Sequence, residues 1–481
     1  MAILTKKRAI KVGISLLILY VAIVILFETL LGTSQPEYDG TMTITSFEDD
    51  GEAIDRVVAR LELDGQVYVA VNHWPRAWAR RIQRNPDVQL SYQGETWNYT
   101  AVVLEGAAHD QGAIDFSVPF SFKFLTGFPP RYFFRFDPKA EISEGSVIDS
   151  QTVELAAEFG AEVRTIEANG IELRLVEAGT GPLVILVHGW PESWYSWRHQ
   201  LPALAQAGYR VVAPDMRGYG GSSLPSAIED YNIKELTADV AGIVSALGEE
   251  SAVLVGHDWG APIVWQTALL YPEKIDAVVG LSVLYGGRSS NKPNRPLRQD
   301  PEDDFFYISY FQDPGVAEAE FDADPKSLIA RLYTSRSPGT PTHPPEVTDP
   351  RASAGGWLKR LGEPMRLPDW LTETDLNYYT SEFKKSGFKG GINYYRNGAL
   401  NWELTPELAG AMIHQPALFI VGELDIVNRG ATKEELEVRA EPHFADLRGI
   451  VLQPGIGHRN QQQAPEDTNR LLIEFLNSLD Q

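Results

Sequence analysis

The spacing of apolar and polar residues changes along the chain, and the change marks two kinds of domain. From about residue 41 to 138, short strand-like runs with turn residues between them predict a small antiparallel barrel or sandwich. The runs are LELDGQVYVAV, VQLSYQ, TWNYTAVVLE, AIDFSVPFSF and RYFFRF, and one helical run, RAWARRIQ (residues 76–83), interrupts them. The first part of the chain is therefore predicted to be mainly β.

From about residue 150, strongly apolar runs alternate with helical segments. These runs are LVILV (183–187), YRVVA (209–213), AVLVG (252–256), DAVVGLS (276–282), ALFIV (417–421) and GIVLQ (449–453). Strands that are apolar on both faces belong to parallel sheets with helices on each side. The second part of the chain is therefore predicted to be an α/β domain.

A long interruption, residues 285–405, separates the fourth of these apolar strands from the fifth. It is rich in aromatic residues and contains the proline-rich piece SPGTPTHPPEVTDP at 337–350. Because an insertion of this length is too long for a simple loop, it predicts a largely helical cap over the carboxyl edge of the sheet.

The N-terminus carries a possible membrane anchor. Four basic residues, Lys6, Lys7, Arg8 and Lys11, precede an apolar run over residues 12–32 that only Glu28 interrupts. About 20 apolar residues can span a bilayer as a helix, whereas the apolar core of a cleaved signal peptide, the alternative, is usually shorter. The run predicts an uncleaved transmembrane helix with the lipid bilayer as partner. The basic flank places the N-terminus in the cytoplasm and the rest of the chain outside it.

Together these patterns divide the chain into four predicted parts. Residues 1–38 form a basic tip, the anchor helix and a linker, and residues 39–145 form the small β domain. Residues 146–284 and 406–481 form the α/β core, and residues 285–405 form its cap.

Composition narrows the possible functions. The 481 residues are too many for one compact domain, and 43% of them are hydrophobic, which is enough for a large core. A net charge of -23 argues against nucleic acid as a partner, because phosphate is repelled. With 0 Cys, the chain has no disulfide, thiolate metal site or cysteine nucleophile.

The stretch VLVGHDWGAP (253–262) is the first candidate for chemistry. It predicts a strand that enters a helix through a tight turn, which Gly256 and Gly260 permit. Many hydrolases carry a nucleophilic serine at the apex of this turn, the nucleophile elbow, but here the apex is Asp258. Taken alone, the pattern also fits a solvated aspartate in an ordinary turn.

Two more polar residues follow strands of the predicted sheet. Asp425 comes after ALFIV, and His458 comes after GIVLQ. Either residue alone could be a helix cap or a loop histidine, but the order nucleophile, acid, histidine is the chain order of the α/β-hydrolases. The three residues therefore predict a catalytic triad with an aspartate nucleophile.

An aspartate nucleophile attacks saturated carbon and leaves an alkyl-enzyme ester, which water activated by His458 then hydrolyses while Asp425 orients the imidazole. The backbone N–H groups of Trp190 and Trp259 are the expected oxyanion donors. His188 is expected only to hold its loop. Suitable substrates are epoxides and carbon–halogen compounds. An epoxide also needs an acid such as a tyrosine hydroxyl, and composition alone does not choose among the tyrosines of the cap.

Four stretches of the second part closely resemble the soluble-type epoxide hydrolases of the α/β-hydrolase superfamily. They are HGWPESWYSWRHQLPALAQAGYRVVAPDMRGYGGSS, GHDWGAP, YFQDPGVAEAEF and FKKSGFKGGINYYRN, and the resemblance runs from about residue 160 to the C-terminus. It implies an α/β-hydrolase fold with a helical cap. It also implies conversion of an apolar epoxide and water to a vicinal diol, with no cofactor and no metal.

The resemblance also implies roles for individual residues. Asp258 is the nucleophile, and Asp425 and His458 are the charge-relay pair. The tyrosines that polarise the oxirane are Tyr307 and Tyr395, whereas Tyr310 and Tyr394 are packing residues. One departure is Arg459, which follows the catalytic histidine where family members often carry an aromatic residue.

Two alternatives remain. Haloalkane and haloacid dehalogenases share the fold and the aspartate nucleophile, but the intact tyrosine pair favours an epoxide. Residues 66–106 resemble the split-barrel flavin- and deazaflavin-binding proteins, which allows a deazaflavin-linked redox protein as the second alternative. The preceding stretch SFEDDGEAIDR (46–56) is acidic and would repel a cofactor phosphate, so no bound cofactor is expected.

Overall fold

The computed structural model divides into two compact units, Met1–Glu141 and Ile142–Gln481. It describes residues 19–22, 24, 40–47, 53–63, 66–72, 77–92, 95–104, 106–126, 128, 130–138, 149–293, 304–335, 337–428 and 430–479. The finer division into four parts stays a prediction.

Seven strands of the first unit form one antiparallel sheet. They are β1 (Thr41–Phe47), β2 (Ala53–Ala59), β3 (Leu61–Leu63), β4 (Gln66–Asn72), β5 (Asp87–Tyr92), β6 (Glu95–Val103) and β7 (Arg131–Pro138), in the order β2-β1-β5-β6-β7-β4-β3. Along β1 every second residue is buried, because successive side chains of a strand point to opposite faces. The predicted helical run is confirmed as α1 (Ala77–Arg84), which buries Trp78, Ala79 and Ile82.

The run AIDFSVPFSF, predicted as a strand, is not one. Its first residues belong to helix α2 (Gly106–Asp115), and its last belong to helix α3 (Phe120–Leu125). Pro119 explains the difference, since a proline cannot donate to a strand ladder but is well placed at the start of a helix, where it precedes Phe120 here.

The predicted membrane anchor, residues 12–32, falls almost entirely outside the described residues, which here include only 19–22 and 24. Within the part of the chain that the structure describes, no helix has the length and apolar character needed to cross a membrane. The Tyr20 hydroxyl instead donates a hydrogen bond to the backbone carbonyl of Phe124, 2.9 Å away. The lack of a membrane-spanning helix among the described residues contradicts the predicted transmembrane helix, the bilayer partner and the membrane-anchored, extracytoplasmic location.

The second unit contains an eight-stranded sheet in the order β15-β14-β13-β12-β10-β11-β9-β8. Its strands are β8 (Glu162–Ala168), β9 (Ile171–Ala178), β10 (Leu183–Val187), β11 (Arg210–Pro214), β12 (Ala252–His257), β13 (Ile275–Leu281), β14 (Ala417–Gly422) and β15 (Leu447–Gln453). Strands β10 to β15 pair in parallel and are the six predicted apolar runs. The predicted α/β-hydrolase sheet is thus confirmed.

Helices pack around this sheet. Among the described residues, six of them lie in the long interruption of the chain between β13 and β14. The helices before the interruption are α4 (Ser150–Glu158), α5 (Gln200–Gln206), α6 (Ile233–Ala246) and α7 (Gly260–Leu270). Those of the interruption are α8 (Tyr307–Tyr310), α9 (Val316–Ala323), α10 (Pro325–Ser335), α11 (Glu373–Ser386), α12 (Lys389–Arg396) and α13 (Gly398–Leu404). The last three are α14 (Lys433–Ala440), α15 (Asn460–Gln463) and α16 (Pro465–Asn477). Phe311, Tyr333 and Tyr379 of the interruption belong to the same buried core as the sheet.

The antiparallel hairpin β8–β9 was not predicted, although the sequence contains its signal. Asn169 and Gly170 join the two strands with positive φ angles of 50° and 72°. An Asn-Gly pair favours this two-residue hairpin turn, because both positions require the left-handed conformation. These strands contain charged residues, so their hydrophobic pattern is weaker than that of the continuous apolar runs.

Arg174 on β9 joins the sheet to the cap through buried carboxylates. Its Nε donates to Asp215 Oδ2 at 2.6 Å, its Nη2 donates to Glu382 on α11, and its Nη1 lies 3.3 Å from Asp149 Oδ2. Burial tends to lower the pKa of Arg174, but the charges of Asp215 and Glu382 raise it above its ordinary value. The guanidinium is therefore charged and holds three segments together.

Replacing Arg174 should destabilise the second unit. In Arg174→Met, the Asp215 carboxylate stays buried without its counter-ion and Glu382 keeps only Lys385, 3.0 Å from its Oε1, which costs about 3–5 kcal/mol. The matched control is Arg164→Met on β8, whose half-exposed side chain lies 3.0 Å from Glu177 and whose loss should cost less than about 1 kcal/mol. Urea unfolding followed by tryptophan fluorescence measures both changes, and equal losses would contradict the role of Arg174.

Candidate active site

The turn between β12 and α7 has the geometry of a nucleophile elbow. Asp258 lies at its apex with φ 51°, in the left-handed region. A Cβ atom on Gly256 would lie 2.2 Å from the Gly260 carbonyl oxygen, and one on Gly260 would lie 2.0 Å from the Val187 carbonyl oxygen. Glycine is thus required at both positions, because Gly256 packs against the start of α7 and Gly260 packs against the end of β10.

The structure brings the three predicted triad residues together. His458 Nε2 lies 3.1 Å from Asp258 Oδ2, and His458 Nδ1 lies 3.0 Å from Asp425 Oδ2. Asp425 also accepts a hydrogen bond of 2.9 Å from the backbone N–H of Val427. All three residues follow strands that end at the same edge of the sheet, as the sequence predicted.

The two carboxylates and the imidazole shift one another's pKa values. Burial tends to raise the pKa of Asp258, but the hydrogen bond and charge of His458 lower it to about 2. Burial tends to lower the pKa of His458, but the charge of Asp425 and the hydrogen bond to Asp258 raise it to about 9. At neutral pH the nucleophile is therefore ionised and the imidazole is protonated between two anions.

The loop after β10 lies against the nucleophile. The backbone N–H of Trp190 donates to Asp258 Oδ1 at 2.9 Å. His188 fixes this loop as expected, since its Nε2 accepts from the Met216 N–H at 3.0 Å and its Nδ1 donates to the Gly189 carbonyl at 2.9 Å. Trp259 follows the nucleophile and is the N-cap residue of α7.

The two tyrosines chosen by resemblance lie together above this loop. The rings of Tyr307 and Tyr395 are 5.9 Å apart, and the ring of Tyr395 lies 6.0 Å from Trp190 and 5.1 Å from Trp259. Burial and the charge of Asp258 raise the pKa of Tyr395 well above its ordinary value. Its hydroxyl therefore keeps its proton and can act as a donor.

Tyr310 and Tyr394, which belong to the same two motifs, have their hydroxyls engaged elsewhere. The Tyr310 hydroxyl donates to Glu320 Oε2 at 3.0 Å, and the Tyr394 hydroxyl donates to the Arg217 carbonyl at 2.8 Å. Both therefore serve packing and the cap rather than the region beside Asp258.

Aromatic rings line the space above the nucleophile. Trp357 of the cap stacks on Trp190 at 5.8 Å and on Tyr307 at 4.9 Å, and Phe311 lies 5.0 Å from Tyr395. Such a wall binds apolar groups and excludes water. In the described ranges, no group of three or more His, Asp or Glu residues could hold a metal ion.

Comparisons with known proteins agree with this geometry. Residues 182–437 match the family described as the α/β hydrolase fold. Epoxide hydrolase A of Mycobacterium tuberculosis (strain ATCC 25618 / H37Rv) is 45% identical over 321 residues, which cover 66% of this chain and 98% of that protein. Epoxide hydrolase 3 of Siraitia grosvenorii is 38% identical over 324 residues, which cover 65% of this chain and 97% of that protein.

A solved structure is also similar. The crystal structure of Epoxide Hydrolase A from Mycobacterium thermoresistibile superposes with a TM-score of 0.60 at 47% identity, covering 66% of this chain and 98% of that one. The chain belongs to the epoxide hydrolases of the α/β-hydrolase superfamily. The dehalogenase and deazaflavin alternatives are not favoured.

The sequence did not predict the residues that hydrogen-bond the backbone of His458 in this epoxide hydrolase. His257 Nε2 donates to the His458 carbonyl at 2.8 Å, and the Ser282 hydroxyl donates to the same carbonyl at 2.7 Å. His257 Nδ1 in turn lies 3.0 Å from Glu192 Oε2. The only sequence signal is that Glu192 and His257 lie within the motifs HGWPE and GHDWG.

The close packing at the elbow gives a test of the epoxide hydrolase site. In Gly260→Ala, the new methyl group meets the Val187 carbonyl, so the turn must move or the protein must unfold. We expect a lower thermal unfolding temperature by circular dichroism together with loss of diol formation. Gly398→Ala is the control, because a Cβ there meets no atom within 4 Å and alanine suits a helix better than glycine. If Gly260→Ala were as stable and active as the wild type, the required contact would be contradicted.

Proposed function

We propose that this epoxide hydrolase converts apolar epoxides to vicinal diols through a covalent ester on Asp258. One observation carries the proposal: the two carboxylate oxygens of Asp258 have different partners. Oδ1 accepts from the Trp190 N–H at 2.9 Å, whereas Oδ2 faces His458 at 3.1 Å. One oxygen is thus held as the future ester carbonyl, and the other is available for attack.

In the first step, Asp258 Oδ2 attacks an oxirane carbon, and the C–O bond to the ring oxygen breaks. Tyr307 and Tyr395 hydrogen-bond that oxygen, and one of them gives its proton to the departing alkoxide. The placement of Tyr395 against both Trp190 and Trp259 supports this role, because these two residues flank the nucleophile. The product of the step is an alkyl ester of Asp258.

In the second step, His458 takes a proton from water, and the resulting hydroxide attacks the carbonyl carbon of the ester. Negative charge then develops on Oδ1, where the Trp190 N–H already donates and where we place the Trp259 N–H as second donor. Collapse of this intermediate breaks the bond between the carbonyl carbon and Oδ2. The departing alkoxide takes the proton from His458 to give the diol, and the proton of the new Asp258 carboxyl group restores the tyrosine hydroxyl. Asp425, 3.0 Å from Nδ1, compensates the imidazolium.

The two steps need opposite protonation states of His458, and the chemistry itself supplies the change. In the free enzyme, the ionised Asp258 and Asp425 raise the pKa of His458 to about 9. Esterification removes the charge of Asp258, so the pKa of His458 falls in the alkyl-enzyme. The imidazole can then lose its proton and act as the base for water.

The aromatic wall supports apolar epoxides as substrates. Trp357, Phe311 and Trp190 offer ring faces and edges to a bound molecule. The main polar groups of the proposed site are the tyrosine hydroxyls and the triad, which can bind the oxirane and the water.

A single turnover in heavy-oxygen water tests the ester. Excess enzyme reacts once with an aryl epoxide such as styrene oxide, and mass spectrometry locates the label. We expect the label in the Asp258 carboxylate and none in the first diol, because water attacks the ester carbonyl and not the substrate. Label in that first diol would contradict the covalent mechanism.

Variants of the same experiment separate the two steps. Asp258→Asn should form neither adduct nor diol, whereas His458→Gln should accumulate the alkyl-enzyme, seen as a mass increase. His443→Gln is the matched control, since this histidine lies on a 3-10 helix, Glu441–His443, outside the site. It should turn over like the wild type.

Removal of the tyrosine hydroxyls should slow ester formation. We expect Tyr307→Phe and Tyr395→Phe each to lower the alkylation rate, and the double variant to lower it by about 10²–10⁴-fold. Stopped-flow tryptophan fluorescence measures this rate. Tyr310→Phe and Tyr394→Phe are controls whose hydroxyls bind elsewhere. Equal effects of all four changes would refute the assignment.

A further inference from the structure

Arg459, the residue after the catalytic histidine, is buried to an unusual degree for a cation. Its side chain is 2% exposed, and its guanidinium carbon lies 3.7 Å from the centre of the Tyr333 ring. The Tyr333 hydroxyl donates to the Pro191 carbonyl at 2.7 Å, which fixes the ring. The cation is therefore packed against an aromatic ring in the interior.

A buried cation requires a buried anion, and Glu192 is that anion. Arg459 Nε lies 3.4 Å from Glu192 Oε1, which is the one ion pair of Arg459 among the described residues. Glu192 is 1% exposed. Burial tends to raise the pKa of Glu192, but His257 and then Arg459 lower it to about 2. Glu192 also belongs to the same loop as Trp190, the oxyanion donor.

The hydrogen bonds of His257 connect this ion pair to the catalytic base. His257 Nε2 lies 2.8 Å from the His458 carbonyl oxygen, which can only accept, so Nε2 carries a proton. His257 Nδ1 lies 3.0 Å from Glu192 Oε2. Arg459 favours the ionised form of Glu192, so that the carboxylate and the His257 ring stay in contact.

His257 lies close to the base, with a ring centre 5.0 Å from that of His458. The negative charge of Glu192 behind it favours protonation of His458 unless the cation of Arg459 compensates that charge. The titratable and charged groups that surround these residues are Asp258 and Asp425 beside His458, and Glu192, Arg459, His188, Tyr333 and Tyr379 behind it.

We propose that Arg459 is a positioning residue of the hydrolytic step. Its buried charge compensates that of Glu192, so that His458 of the alkyl-enzyme can accept a proton from water at lower pH. The inference rests on the proposed role of His458 as the base. It assigns to the ion pair Arg459–Glu192 a function beyond holding the fold, namely to set the pH range of ester hydrolysis.

The test is the pH profile of the two steps, measured separately by single-turnover stopped-flow fluorescence with styrene oxide. In Arg459→Met, the buried charge of Glu192 is left without Arg459, so the protonated form of His458 is favoured. We expect the acid limb of the hydrolysis rate to move up by about one pH unit, which is a roughly tenfold slower hydrolysis below the limb. The alkylation rate, which needs no base, should change much less.

Two further variants separate charge from packing. Arg459→Lys keeps the charge but loses the planar stack on Tyr333, so the limb should stay near its wild-type pH while the unfolding temperature falls. Arg217→Met removes a different buried ion pair, in which Arg217 Nη2 lies 2.6 Å from Asp239 Oδ1. It should lower stability without moving the acid limb. A limb unmoved in Arg459→Met would overturn the proposal and leave Arg459 a structural residue only.

A second measurement uses the wild-type enzyme and does not depend on how a variant folds. Nitrogen NMR of ¹⁵N-histidine-labelled enzyme under turnover, with His458 identified by its change when the alkyl-enzyme forms, reports the proton on its ring. His458 should lose that proton at the pH of the acid limb, and a limb that does not coincide with this loss would overturn the proposal. Failure of the proposed function would look different, since the wild type would then form no alkyl-enzyme in the single turnover.

Discussion

The contact between Gly260 and the end of β10 is the constraint on which the site depends. Because a Cβ atom on Gly260 would lie 2.0 Å from the Val187 carbonyl oxygen, α7 begins directly against the neighbouring strand. This forces Asp258 into the left-handed region and brings its side chain under the loop that follows β10. A Cβ atom on Gly189 would likewise lie 2.4 Å from that of Asp258. The backbone N–H of Trp190 reaches the carboxylate only because both glycines allow this approach.

Once the carboxylate is placed, the buried charges behind it must balance. Asp258 and Asp425 share the charge of His458, and Glu192 is compensated by His257 and Arg459. These two sets of charged residues are connected through the His458 carbonyl, which accepts a hydrogen bond from His257. Since isolated charges are expensive in the interior, a change in one group is felt by the other. In the proposed mechanism, the protonation of His458 therefore depends both on the ester at Asp258 and on the ion pair Arg459–Glu192.

Much of the second unit could be predicted because its strands are buried on both faces. Continuous apolar runs such as LVILV leave little choice but a central parallel strand, and Asp258, Asp425 and His458 each follow such a run. The hairpin β8–β9 was missed because its strands carry charged residues and depend on the Asn169–Gly170 turn. The strand predicted over AIDFSVPFSF is wrong because Pro119 starts a helix there. The membrane prediction is contradicted because it relied on hydropathy over residues 12–32 alone.

The sequence by itself predicted the six parallel strands, the elbow turn and the three residues proposed as a triad, because each is encoded within a few neighbouring positions. Only the tertiary structure decided which residues surround them. Tyr395 reaches the nucleophile from the cap, far away along the chain, and Glu192 reaches His257 across 65 positions. Such contacts depend on how the strands and the cap pack together, and no local pattern records them. For the same reason, Arg459 was visible in the sequence only as a departure, and its burial beside Glu192 gave it a proposed role.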